Sequence, residues 1–456
     1  MVLHAPDMAL RILIVGGGAA GASAAARARK WSQDAEIHMF EAGSMITHAP
    51  CGIPYYVGGI VGDPSMLKTY TPSEFSKGRN VNVHVGSRVA RIDLRSRELE
   101  VEEAGSTTRY GWDRLILATG ARPLIPRVEG VDLKGVFTVR LPDGARELRD
   151  GLSAAGTVAV IGGGYIGLEM ADAARSLGKR VLLFEAMQRV LPTTVDQDVA
   201  DVVHEELRAN GVELHLSEPL QRLEGRGSVE RVVTEKGRYP VDAVVLAVGV
   251  RPDSALAESV GLRIGETGAV YVNEYMETSE PDVYAAGDLV ETTHIVTGKR
   301  TWVPLAPPAN KMGQVAGANS VSPRSLKFPG VVGTAVTKVF SYYVGRTGLS
   351  DEQAKDEGID FESKLIKTRS AAEYYAKYET IYVKLTVERK GGRIIGGQIV
   401  SRDKIAAGYL DLMAELVGRG ATLDDVFFSD LSYSPATAPV WHPVITAARV
   451  LSHGRL

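Results

Sequence analysis

Cys51 is the only thiol among 456 residues, set in the segment Ala49-Pro50-Cys51-Gly52-Ile53-Pro54. With no second cysteine an intrachain disulfide is excluded. Redox chemistry at this sulfur therefore needs an outside atom, as a mixed disulfide, a persulfide or a sulfenic acid. The run into Gly52-Ile53-Pro54 predicts a helix start, where backbone N–H groups and the helix dipole favour thiolate over thiol. The plainer reading is a small buried hydrophobe.

Two glycine motifs supply the second kind of chemistry. Gly16-x-Gly18-x-x-Gly21 follows an apolar strand, Arg11 to Val15, and opens an alanine-rich helix, Ala19 to Lys30; a second strand, Glu36 to Glu41, ends on an acid. The pattern recurs as Thr157 to Ile161, then Gly162-x-Gly164-x-x-Gly167, a helix Tyr165 to Leu177, and Arg180 to Glu185. In such a unit the first glycine turns the chain, the second lets a pyrophosphate approach the backbone, and the third lets helix pack on strand. The helix N-terminus supplies partial positive charge, and the terminal acid takes the ribose hydroxyls. Two dinucleotides are implied. Glu185 suits a 2′-hydroxyl and repels a 2′-phosphate, which favours NADH over NADPH, although Arg180 and Arg189 stand close enough in sequence to soften the preference.

The elements that must position these residues read as α/β. Each repeat is followed by an apolar strand ending in a small-residue turn, Leu115 to Gly120 with Thr119, and Val244 to Gly249. Both turns lead to an Arg-Pro pair, Arg122-Pro123 and Arg251-Pro252, where proline is expected to force the chain out of regular structure at domain crossings. Tyr284-Ala285-Ala286-Gly287-Asp288 ends an extended run on a turn with one carboxylate. From about Phe328 the composition changes: Glu379 to Glu388 and Arg393 to Val400 alternate around Lys390-Gly391-Gly392, predicting a hairpin, and Lys404 to Val417 has helical spacing.

Composition narrows the partners. The chain is 45% hydrophobic and 23% charged, with a formal charge of −3, so it carries no broad basic footprint for nucleic acid or an anionic membrane. Its longest apolar runs fall far short of the ~20 residues of a bilayer span. The nine histidines show no metal-ligand spacing, and no metal is expected. Met1 to Ala9 reads as a short extension rather than a secretory signal. That reading and a single cysteine lead to the expectation of a cytoplasmic, reducing setting.

Together these motifs resemble the two-dinucleotide-fold flavoprotein disulfide reductases, and within them the single-cysteine branch of coenzyme A-disulfide reductase, NADH oxidase and NADH peroxidase. The likeness runs in order from about Ala9 to Leu456 and includes Cys51-Gly52-Ile53-Pro54-Tyr55. It implies two Rossmann-like domains and a C-terminal α+β dimerisation domain: residues 1–120 and 250–327 for FAD, 121–249 for NAD(P)H, and 328–456 for a homodimer. It further implies FAD on the first loop with Asp288 at its ribitol, and NADH on the second. Tyr165 would then cover the flavin, and Glu169 would lie near the nicotinamide.

The substrates open to the branch are a low-molecular-weight disulfide such as coenzyme A disulfide, a persulfide or polysulfide, and oxygen or peroxide. Oxygen- and peroxide-reducing members carry a histidine in the first loop where this chain has Ala19, which ranks NADH oxidase second. Tyr374 and Tyr375 resemble the paired tyrosines of the coenzyme A reductases. Tyr433 resembles their C-terminal tyrosine, which is presented to the partner subunit's cysteine, where a phenol can protonate the leaving thiolate. Arg29 and Lys30 resemble a basic pair for the coenzyme's phosphates, and Thr47 keeps a hydroxyl where serine is common in the family. His48 is the only histidine near Cys51 in sequence, and a loop histidine facing solvent is its plainer reading; His442, after Trp441, stands near Tyr433. A different class of function, a flavin-bound redox sensor switched by Cys51, is also open.

Overall fold

The computed structural model describes residues 9–375 and 377–456; the extension expected before residue 9 lies outside them. Two parallel sheets carry the two glycine motifs. In the first, the strands run Val283–Ala285, Arg114–Leu117, Arg11–Val15, Glu36–Glu41 and Asn82–Val85. In the second the order is Val136–Thr138, Ala243–Leu246, Thr157–Ile161, Arg180–Glu185 and Val212–Leu216. All pairings in both are parallel, with Leu13 opposite His38 and Leu115, and Ala159 opposite Leu182 and Val244. Helices cover these sheets, so their central strands are near-continuous apolar runs rather than alternating ones.

The repeat goes deeper than the glycines. Each parallel sheet is joined by a three-stranded antiparallel meander, Arg88–Asp93 with Glu98–Glu103 and Ser106–Gly111, and Arg222–Glu224 with Arg231–Val233 and Arg238–Pro240. In the first, Phe40 packs on His84 and Tyr110, whose hydroxyl donates to Glu103 at 2.8 Å. In the second, Phe184 packs on His215 and Tyr239, whose hydroxyl donates to Glu218 at 2.7 Å.

The first helix, Ala19–Trp31, is built of small residues because another helix, Ala306–Val321, crosses it closely. A Cβ at Gly313 would overlap the Ala20 carbonyl, and one at Gly317 the Ala24 carbonyl. The Arg-Pro pairs do not leave regular structure: Ala121–Pro123 and Val250–Pro252 pair antiparallel, with Arg122 opposite Arg251. Both prolines sit at strand ends, where a missing N–H costs the ladder nothing. The two crossings are thus one ribbon.

The C-terminal sheet is antiparallel and five-stranded, in the order Ala335–Val339, Tyr342–Gly348, Ile394–Ser401, Thr380–Glu388 and Phe361–Arg369. The expected hairpin is its Thr380–Glu388 and Ile394–Ser401 pair, and the helices Ile405–Gly418 and Pro443–Leu451 pack in the same core. No described helix is long and apolar enough to cross a membrane.

Candidate active site

A cavity of about 3100 Å³ reaches both glycine loops, Cys51 and Asp288. A pocket for a drug-sized ligand holds roughly 300–1000 Å³, so this one has room for more than one extended cofactor.

At the first loop the backbone leaves no alternative to glycine. Gly16 has φ +105°, and a Cβ there would overlap the Ala118 carbonyl; a Cβ on Gly21 would overlap the Gly16 carbonyl. At Gly18, by contrast, a Cβ would meet only His48 Cε1, at 3.8 Å, which leaves that backbone open to a ligand. The Glu41 carboxylate accepts from Gly17 N at 2.8 Å and Gly43 N at 2.7 Å, fixing it beside the loop. Across the cavity, Thr119 Oγ1 donates to the Asp253 carbonyl at 2.8 Å and ties Gly120 to the ribbon. Asp288 faces Arg140, 3.6 Å away; burial pushes its carboxyl up and Arg140 pulls it back.

The second loop repeats this geometry. Gly162 has φ +105°, a Cβ on it would overlap the Ala247 carbonyl, and Gly167 is pressed on Gly162 in the same way. A Cβ at Gly164 would meet nothing within 4 Å. Glu185 is buried and accepts from Gly163 N at 2.7 Å and Met187 N at 2.8 Å. Gly249 closes the wall with φ +117°. The two arginines that would soften a preference for NADH are engaged elsewhere: Arg180 pairs with Glu213 at 2.7 Å and Arg189 with Glu352 at 2.6 Å. Tyr165 opens the helix Tyr165–Ser176 and lines the cavity; burial pushes its phenol to about 12, and its oxygen has no partner among the described residues. Glu169, one turn on, accepts from Thr337 Oγ1 at 2.7 Å. The donor set fits two dinucleotides.

Cys51 lies between them, exposed to the cavity. The expected helix start is a short turn, Pro50–Gly52, leading into only five helical residues, Ile53–Val57. So short a helix has little dipole to offer. The thiolate expectation is corrected: burial on the protein side pushes the thiol up, and the Glu169 and Asp288 carboxylates push it the same way, against a weaker pull from Arg140. Thr47, in the left-handed region at φ +48°, spends its hydroxyl on the backbone of Tyr70, accepting at 3.0 Å and donating at 3.2 Å. It staples the loop that holds Cys51.

The expectations for Arg29 and Lys30 change. The Arg29 guanidinium turns inward and donates to the carbonyls of Ser32, Gln33, Ala35 and Asn80, so it is a structural strut rather than a phosphate ligand; Lys30 is exposed and not among the cavity-lining residues. Arg27 reaches the cavity instead, as helical spacing from Ala19, Ala22 and Ser23 requires. His442 is buried, accepts from Val444 N at 3.2 Å as a helix cap, and is pushed down to about 4 by burial. Tyr374, Tyr375 and Tyr433 lie outside this cavity on the exposed face of the C-terminal domain, with the Tyr374 and Tyr433 hydroxyls 2.9 Å apart.

Sequence reading missed Thr337, Arg140, Arg346 and His294. Each reaches the cavity from a segment without a motif. No group of three metal-ligating side chains occurs among the described residues.

Comparison with known proteins places this geometry. Residues 10–313 match the model of the pyridine nucleotide-disulphide oxidoreductases, and residues 334–444 that of their dimerisation domain. The NAD(P)H coenzyme A polysulfide/persulfide reductase of Pyrococcus horikoshii is 43% identical over 98% of this chain and 99% of its own. An NADH oxidase of Methanocaldococcus jannaschii is 34% identical over 96% of this chain and 98% of its own. The structure of an NAD-dependent persulfide reductase from A. fulgidus superposes with a TM-score of 0.95 at 37% identity, covering 98% of this chain and 84% of that one. The chain belongs to the FAD-dependent pyridine nucleotide-disulphide oxidoreductases.

Proposed function

We propose that the chain uses NAD(P)H, with NADH preferred, to reduce a coenzyme A-type disulfide, persulfide or polysulfide through Cys51. The observation that carries the reading is the single sulfur exposed to a cavity shared by both glycine loops and Asp288. Bound FAD would take a hydride equivalent from the nicotinamide and pass two electrons to a disulfide at Cys51. The protein's own part is exchange. Cys51 Sγ, as thiolate, attacks one sulfur of R–S–S–R′, forming Cys51–S–S–R and expelling R′S⁻. Two electrons then split that bond, returning Cys51 thiolate and releasing RS⁻.

Each leaving thiolate takes up a proton, and Tyr433, hydrogen-bonded to Tyr374, is the proposed donor. Because that pair stands outside the cavity of its own chain, it would serve the cleft of a second copy in a homodimer. Tyr375, half exposed beside it, would line the same entrance. Arg27, on the cavity wall, remains for the nucleotide part of the coenzyme, with Thr47 holding the loop that carries Cys51. One cysteine suits a reducing, cytoplasmic setting.

Mass analysis of protein purified anaerobically should find a dithiothreitol-labile adduct on Cys51. An unmodified thiol that disulfide substrates never modify would contradict the proposal. A second reading, oxygen reduction by an NADH oxidase, draws support from His48, whose ring approaches Gly18 beside Ala19 and brings to the first loop the imidazole its sequence lacks. Water-forming oxygen uptake undiminished by disulfide would favour it.

A further inference from the structure

Arg346, on the strand Tyr342–Gly348, is only 9% exposed. Its Nη2 donates to the Gly348 carbonyl and to Gln353 Oε1 at 3.0 Å. Its Nε has no acceptor, and no carboxylate pairs with the guanidinium, among the described residues. Two buried neighbours feel the Arg346 charge: the Tyr165 hydroxyl and His294 Nδ1 meet no partner at full hydrogen-bond geometry among the described residues, with Thr194 and the Val332 backbone nearby. All three residues line the cavity.

The three come from different parts of the chain: the helix of the second glycine loop, the loop after Asp288, and the C-terminal sheet. Burial holds His294 near 4, so its ring is neutral at physiological pH and can donate a hydrogen bond without adding charge. Lys299 and Arg300, which also line the cavity, are already paired, with Glu357 at 2.6 Å and Glu291 at 3.0 Å. Arg346 is a buried cation with no carboxylate at ion-pair distance among the described residues, Asp196 acting on it only from further away. Burying a charge without a counter-ion is strongly unfavourable, and a guanidinium fork matches phosphate oxygens.

We propose that Arg346, with His294 and Tyr165, forms an oxyanion subsite for a phosphate-type group where the three domains meet. The group has two possible sources, the pyrophosphate of a dinucleotide on the adjoining Gly162–Gly167 loop, or free inorganic phosphate. The first source rests on the assignment of that loop to NAD(P)H.

The test uses the full-length, FAD-loaded protein as wild type and Arg346→Gln, with Arg346→Lys retaining the charge. Stopped-flow flavin reduction reads NADH affinity and limiting rate. Thermal melting without nucleotide, in inorganic phosphate against chloride at matched ionic strength, reads binding without turnover. If the pyrophosphate is the ligand, Arg346→Gln weakens NADH about ten- to a hundredfold, with the loss in affinity rather than limiting rate, Arg346→Lys restores part of it, and phosphate competes with NADH. If free phosphate is the ligand, it raises the melting temperature of wild type but not of Arg346→Gln.

A folded, flavin-loaded Arg346→Gln that matches wild type in both arms overturns the subsite. Should that variant not fold, wild type decides: phosphate that either stabilises it or competes with NADH supports the subsite, and phosphate that does neither overturns it. Failure of NADH to reduce wild-type flavin would overturn the loop assignment instead, and the melting arm would still decide the subsite.

Discussion

The Thr337 hydroxyl donates to Glu169 Oε1 at 2.7 Å, joining the first strand of the C-terminal sheet to the helix of the second glycine loop. Burial pushes the Glu169 carboxyl up, and this hydrogen bond pulls it down. Thr337→Val should therefore push it higher still and cost about 1 kcal/mol from the lost bond. For an acid raised in the folded state, the stability is fully present below the unfolded value and is lost as pH rises through the folded one. Melting temperature against pH should thus fall over a window reaching further upward in Thr337→Val than in wild type, and flatten in Glu169→Gln. Superimposable profiles would refute the coupling.

Cys51 is held in the thiol form by burial and by the Glu169 and Asp288 carboxylates. Iodoacetamide should consequently modify the flavin-free protein slowly at neutral pH, with a rate climbing into and beyond the ordinary thiol range. Glu169→Gln should move that climb to lower pH. A rate already at its plateau near neutrality would show the thiolate that the short helix was expected to provide.

The glycines of the second loop divide by what surrounds them. At Gly164 a methyl group meets no protein atom, whereas at Gly167 it overlaps the Gly162 carbonyl. Gly164→Ala should melt within about 0.5 kcal/mol of wild type, as open surface changes do, yet bind NADH at least tenfold more weakly by titration. Gly167→Ala should lose folded NAD(P)H module. Equal NADH affinity in Gly164→Ala would place the dinucleotide elsewhere.

Arg29 binds four backbone carbonyls rather than ligand. Arg29→Ala should destabilise the first module by several kcal/mol, about 1.5–3 for each charged hydrogen bond left unmade at the upper limit. Any variant molecules still folded should keep the wild-type KM for coenzyme A disulfide. Lys30→Ala should leave stability unchanged. A raised KM with unchanged melting in Arg29→Ala would restore the sequence-based role.

The strands and helices of both glycine units were legible to within a residue, Arg11–Val15 and Thr157–Ile161 among them, because buried parallel strands are unbroken apolar runs ending in glycine. The meanders were not, since Arg88–Asp93 and Arg222–Glu224 are short and rich in charge. Arg29 was misjudged because adjacency to Lys30 was read as a pair, although neighbours on a helix point about 100° apart. The pairing of Arg122 with Arg251 joins residues far apart in the chain, and no local pattern announces it. Thr337 and Arg346 reach the site through tertiary packing alone.

Single-turnover reoxidation of NADH-reduced protein by coenzyme A disulfide or polysulfide, wild type against Cys51→Ser, tests the account most directly. Both proteins should bleach with NADH, and only the wild-type flavin should regain its colour when the sulfur substrate is added without oxygen. Reoxidation of Cys51→Ser at the wild-type rate would contradict a path through this sulfur.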